Sequence, residues 1–276
     1  MGYGRVFFEP GHEDHRFRPG STYEQVWNIY KFDRKLRLLT MDAVERIEVA
    51  VRSALSDYMS RIHGAHWFLN SSLFNDRVRH AELLLKIKQE TGHSQPTRRT
   101  EYCQHYYNKY SAPELPPSWM TMEALSLGQV SQCISNMRRS EQKSVALAFG
   151  FNDAILVSWI GSLAFARNVC AHHGILWNKQ NKRPPKFPDH ALRDDLPDFR
   201  SVGARYFALA VVIKHFLSRI VRKSTWPTRL NSLFEEHPGI PMEQMGFPPR
   251  WAEAQFWEIK RPEVELPLLN RTPCGC

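Results

Sequence analysis

Apolar residues recur along this chain at three- and four-residue steps, and no stretch alternates convincingly as a strand would. Ser21-Thr22-Tyr23-Glu24 has capping-box spacing and predicts a helix running to about Leu39. A second helix is expected from Met41 to about Arg61, with Val44, Ile47, Val51, Leu55, Tyr58 and Ile62 forming its apolar face. Asp42/Arg46, Glu48/Arg52 and Asp57/Arg61 read as acid–base pairs on its wet side, each worth about 0.2–0.5 kcal/mol. Asn75 to Glu90 repeats the helical pattern through Val78, Ala81, Leu84, Leu85 and Ile87.

Gly92 to Thr100 is a polar loop, and residues 101–110 carry Tyr102, Tyr106, Tyr107 and Tyr110. Tyrosines beside His105 and Lys109 have the chemistry to stack on bases, but at helical spacing packing is the better reading. Pro113 to Pro117 is a stiff connector, and Ser118 is expected to cap a helix over Trp119–Leu127 that stops at Gly128. Gln129–Arg139 forms the next helix, and Ser140 caps a short one that Gly150 ends.

Asn152 then caps an apolar helix from Asp153 to about His173, with Gly174 expected as the left-handed residue after its end. Ile175 to Phe199 reads as a long, Pro-rich, basic loop, and long loops inside compact domains are usually functional or disordered. Helices follow over Arg200–Val221 and Pro227–Glu236. The chain thus divides into an irregular segment 1–20, a helical domain 21–236 and a Pro/Trp-rich tail 237–276. Its fold class is all-α.

Composition narrows the partners. The 276 residues carry a formal net charge of +9, which favours nucleic acid first and an acidic membrane surface second. The longest apolar run, Ala154 to Ala166, is too short to span a bilayer and reads as a buried helix, so no membrane is expected. Residues 1–20 are polar and do not resemble a secretory signal. The five cysteines are odd in number and lack a CxxC pair, which argues against a zinc ribbon or disulfide framework and fits a reducing cytoplasm. Neither cofactor nor metal is expected.

The candidate chemistry lies in Arg167-Asn168-Val169-Cys170-Ala171-His172-His173-Gly174. Arginine offers phosphate a planar fork of donors, and histidine exchanges protons most readily near neutral pH. Five residues along an α-helix give a rise of ~7.5 Å and a rotation of about 140°. Arg167 and His172 therefore flank a groove, or meet their counterparts in a second copy, rather than stack on one face. The macrodipole at a helix C-terminus favours an imidazolium by about 0.3–1 kcal/mol. By spacing alone the pair also reads as plain C-terminal capping.

Four blocks set this motif in company. They are Tyr30-Lys-Phe-Asp33-Arg34-Lys35-Leu-Arg37 continuing into Asp42 to Arg52; Leu115-Pro-Pro-Ser118-Trp119 with Glu123 to Gly128; Arg167 to His173 with Leu176-Trp177-Asn178; and Met245-Gly-Phe-Pro with Trp251. Through them the chain, from about residue 22 onward, resembles the Abi-like (AbiD/AbiF type) abortive-infection family of the HEPN superfamily. The resemblance implies a HEPN-type helical bundle with additional helices and an irregular C-terminal tail. It also implies RNA as ligand, and metal-independent RNA cleavage by the motif arginine and histidine, commonly in a homodimer with a composite site. Carried over, Arg167 and His172 are the catalytic pair, Asn168 the polar residue next to the arginine, and Glu123 an acidic neighbour. His173 fits a five-residue gap and keeps the histidine assignment open. The family's N-terminal helices with a Tyr-Tyr-Arg-Leu-like segment find only Gly2-Tyr3-Gly4-Arg5 here, which predicts a shortened N-terminus.

The expected activity is an endoribonuclease of the abortive-infection or toxin type, acting by 2′-OH transesterification in phage defence. Arg98, Arg99, Arg138, Arg139, His173, Lys179, Lys182, Arg183 and Lys186 are the expected backbone grips. Two other readings are a non-catalytic protein bound to a small structured RNA and a protein–protein module docking through its tail.

Overall fold

The first helix is the spine. In the computed structural model, which describes residues 2–8, 16–187 and 203–257, α1 runs unbroken over Tyr23–His63. Its 41 residues span ~60 Å. It fuses two elements that the sequence separates near residue 40. Thr40 is fully buried there, yet its hydroxyl donates to the Leu36 carbonyl (2.8 Å) and meets the Tyr206 hydroxyl (2.8 Å). With its polar group satisfied inside the core, nothing interrupts the helix. The capping box sits one residue later than expected, between Thr22 and Gln25.

Eight more helices follow among the described residues: α2 (Arg77–Glu90), α3 (Glu101–Lys109), α4 (Ser118–Ala124), α5 (Leu127–Asn136), α6 (Arg139–Leu147), α7 (Asp153–Ala171), α8 (Tyr206–Ile220) and α9 (Trp226–Glu235). α4, α6, α7, α8 and α9 pack on α1, α5 and α6 pack on α7, and α2 packs on α4 and α5. Two isolated bridges, Phe8–Phe17 and Phe74–Met137, are the only β pairing among the described residues. The class is all-α, as the periodicity predicts.

Several faces turn out differently from the pattern. Ile62 is exposed, and Met59 takes the buried position at that end of α1. On α2 the buried side chains are His80, Leu83 and Ile87, while Val78 and Leu85 face outward. The imidazole of His80 bonds the Phe68 carbonyl (2.8 Å), so a polar residue can lead the inner face. The α4–α5 break falls at Leu125–Ser126, because Ser126 and Gln129 form a capping box, and not at Gly128. Glu48 and Arg52 are largely buried, and Arg52 also donates to the Leu125 carbonyl (2.6 Å).

The aromatic segment of α3 packs, as expected. Tyr106 donates to Pro113 O, Tyr107 meets Thr91, and Arg99 lies over the Tyr107 ring at 4.3 Å. The described part of the tail is built into the core, with Phe247, Trp251 and Trp257 buried against Phe207 and Phe234. The remaining tail, with Cys274 and Cys276, lies outside the described residues, as do positions 188–202 of the basic loop and the start of the following helix. α7 at 19 residues outruns its apolar stretch and has the length and composition to cross a membrane. Here it is a core helix, with Leu156, Trp159, Ile160 and Leu163 buried.

Candidate functional site

The motif stands where this core helix meets solvent. Asn152 caps α7 through the Ile155 N–H (2.8 Å). The next fourteen residues are mostly buried, and polarity returns abruptly with half-buried Arg167 and exposed Asn168, His172 and His173. Among the described residues these four side chains make no hydrogen bond and no ion pair. The arginine fork and both imidazoles are thus free to meet a ligand.

The helix ends in a Schellman turn. Gly174 N–H reaches the Val169 carbonyl (2.8 Å), and His173 N–H reaches that of Cys170 (3.1 Å). This shifts the stop by one residue from the expectation. His173, with φ 54°, holds the left-handed position assigned to Gly174. A side chain there costs roughly 1–2 kcal/mol, and such strain gathers at functional sites. Gly174 serves close approach instead, since a Cβ on it would sit 3.1 Å from the Val169 backbone oxygen and side chain.

A buried polar cluster on α1 fixes the backbone just after the motif. Asp33 is fully buried. One of its carboxylate oxygens accepts the backbone N–H groups of Leu176 (3.0 Å) and Trp177 (2.7 Å). The other accepts the Tyr3 hydroxyl (2.6 Å) and pairs with Arg37. Arg37 in turn donates to the Gly174 carbonyl (3.3 Å) and to Tyr3 Oη (2.9 Å). Burial and the adjacent Asp33 push the Tyr3 phenol up to about 12. Arg37 is held above its ordinary range: burial opposes its charge, and the Tyr3 hydrogen bond and Asp33 outweigh it. Cys170, buried beside them, is raised to about 12 chiefly by burial.

Residue types alone do not mark Tyr3, Asp33 and Arg37 as neighbours of the motif. A signal was present in the Asp-to-Arg step of four whose members directly follow the apolar Phe32 and Leu36, where a solvated pair would not sit.

The basic segment after the motif doubles back along α7. Asn181 bonds Ser162 (2.6 Å), Lys186 N–H reaches Ser158 (2.8 Å), and Trp159 Nε1 donates to Lys186 O (2.7 Å). This run leaves Lys179, Lys182, Arg183 and Lys186 exposed in a strip that begins at the motif. Lys179 and Arg205 line a small pocket with Phe165 and Ala166, the two residues that precede Arg167 in sequence.

Other expected residues are elsewhere. Arg139 pairs with Asp153 (2.6 Å), and Arg138 precedes it at the start of α6. Both therefore mark the opposite end of α7, ~21 Å along the axis from Arg167. Glu123 pairs with Arg52 (3.4 Å), ~22 Å along α1 from Arg37. Arg99 clamps its own loop through the carbonyls of Gly92 and His93, with exposed Arg98 beside it. None of these five joins the motif turn. Among the described residues, no three His, Cys, Asp or Glu side chains are grouped to hold a metal ion.

A family model described as Abi-like protein matches residues 1–178. The chain belongs to the Abi-like family. The match takes in every part of the motif turn, from Tyr3 through Asp33 and Arg37 to Arg167–His173 and Trp177. It begins before residue 22, ends ahead of the block at Met245 and Trp251, and covers about two thirds of the chain. No curated protein and no solved structure matches the chain.

Proposed function

We propose that this Abi-like protein is an RNA endonuclease of the HEPN type that works by transesterification in abortive infection. The observation that carries the reading is the unpartnered Arg167–His172 pair at the exposed end of a core helix, on a turn tethered by Asp33 and Arg37. In this reaction the ribose 2′-oxygen bonds to the neighbouring phosphorus and the bond to the 5′-oxygen breaks. One proton leaves the 2′-OH and one is gained by the departing 5′-oxygen. The products are a 2′,3′-cyclic phosphate and a 5′-hydroxyl.

His172 carries one of these protons, a role worth roughly 10²–10⁴ in rate. Arg167 holds the scissile phosphate and stabilises its growing charge, and Asn168 orients it. The ~140° between Arg167 and His172 suits a second copy that supplies the complementary group across a two-fold axis. Lys179, Lys182, Arg183 and Lys186 track the flanking phosphates. The 2′-OH requirement predicts that DNA is not cut. Cleavage of RNA, with loss in folded Arg167→Ala and His172→Ala, tests the reading; equal cleavage by wild type and both variants contradicts it.

A further inference from the structure

The first turns of α1 expose aromatic rings that the core does not use. Tyr23 is 78% exposed and Trp27 44%. Tyr23 and Trp27 lie nearly parallel (13°, centroids 6.4 Å), and Trp27 and Tyr30 do too (20°, 5.0 Å). Tyr3 closes the inner end of this ladder edge-on to Tyr30 at 5.6 Å. At 100° per residue, Tyr23, Trp27, Tyr30 and Arg34 fall within a sector of about 60°. Arg34 and Lys31 are exposed cations on the next turn, and among the described residues Arg34 makes no hydrogen bond or ion pair. Among the described residues of α1, no carboxylate joins this sector: Asp33 is buried, and Glu24 lies a quarter-turn or so away from Tyr23.

The ladder adjoins the motif turn. Tyr3 touches Tyr30 on one side and Arg37 on the other, and Arg37 holds the Gly174 carbonyl. The side chain of Ile175 packs against Gly2 in the same corner. Two side chains therefore link the exposed rings to the turn that carries His172 and His173.

We infer that Tyr23 and Trp27 form a stacking platform for unpaired bases of single-stranded RNA, with Arg34 and Lys31 gripping the phosphates between them. Every base has a π-face, so rings presented in parallel beside cations bind single strands with little regard to sequence. A duplex, whose bases are already stacked, gains nothing from the platform. The platform thus selects unpaired segments for the motif turn, and this inference rests on the proposed RNA-cleaving function.

The test is binding of a fluorescent 2′-O-methyl oligouridine, which has no 2′-OH to attack and stays intact, alongside an abasic strand of the same length. Tyr23→Ala and Trp27→Ala are each expected to weaken oligouridine binding by about 5- to 100-fold. Binding of the abasic strand stays as in wild type, and Trp27→Phe retains most of the affinity. Tyr23 is exposed enough for its variant to fold, and thermal melts check both. Unchanged oligouridine affinity in both alanine variants overturns the platform and leaves the RNA-cleaving function standing. No binding of either strand by wild type overturns both.

Discussion

Arg37 donates to the backbone carbonyl of Gly174, across 137 residues of sequence. A side chain about four turns into the first helix thereby holds the turn next to the motif histidines. Its partner Asp33 catches two further amide groups of that turn. The candidate site is thus a helix end restrained from outside its own helix. The proposed role of His172 as a proton carrier would need that restraint, because misplacement of a catalytic group costs rate steeply.

Removing one member of this buried pair leaves the other charged and unpaired. Asp33→Ala is expected to destabilise the fold by about 3–5 kcal/mol. Urea denaturation checks it, and a change below about 1 kcal/mol would show that the cluster does not anchor the turn.

His173 holds a backbone conformation that suits glycine. His173→Gly relieves that strain and is expected to raise stability by about 0.5–1 kcal/mol, the gain being trimmed by the freedom of glycine in the unfolded chain. RNA cleavage should stay within a few-fold of wild type. A stable variant that no longer cleaves would move the proton-transfer role from His172 to His173.

The basic strip along α7 and the distant charges should separate cleanly. Replacing Lys182, Arg183 and Lys186 together by alanine is expected to lower the slope of log affinity against log salt by about 2 for single-stranded RNA. Glu123→Gln and Arg139→Ala should leave cleavage unchanged, since their partners Arg52 and Asp153 lie ~22 Å along α1 from Arg37 and ~21 Å along α7 from Arg167. Glu123 is more than half exposed, so its pair with Arg52 adds only about 0–1 kcal/mol of stability. Loss of cleavage in Glu123→Gln would place that carboxylate back in the site.

His215 sets a pH dependence for stability. Burial, then the charges of Arg219 and Lys214, push it from the ordinary 6.5 down to about 4, and its Nε2 is buried without a partner among Trp159 and Phe256. Between those two values the unfolded chain binds the proton and the native chain does not. The contribution is therefore complete above pH 6.5 and lost as pH falls toward 4, by up to about 3 kcal/mol. Denaturation midpoints across that range should fall with acid in wild type and fall less in His215→Phe. Parallel curves for the two proteins would contradict this assignment.

Much of the helical order was legible because it depends on periodicity and caps. Asn152, Ser126 and Asp76 each cap a helix with their own side chains, and the helix start at Asp153 can be read from the sequence alone. The unity of α1 was not legible, because the satisfaction of Thr40 depends on Tyr206, 166 positions away. The outward turn of Val78 on α2 was hidden for a like reason, since His80 finds its acceptor on a different element. At the site, the motif could be read from residue types. Its tether could be read only as far as the Asp33–Arg37 step, because Tyr3 and Gly174 join it only in the fold. The aromatic ladder was masked by a competing cluster on α3, whose tyrosines pack.

The most direct measurement is cleavage of a single-stranded RNA by the purified protein in the presence of a chelator, read beside His172→Ala with folding verified. Wild type is expected to cleave in the chelator, leaving products with a cyclic phosphate and a 5′-hydroxyl, and His172→Ala to be less active by about 10²-fold or more. Binding of RNA without cleavage, or undiminished cleavage in His172→Ala, would contradict the proposed mechanism.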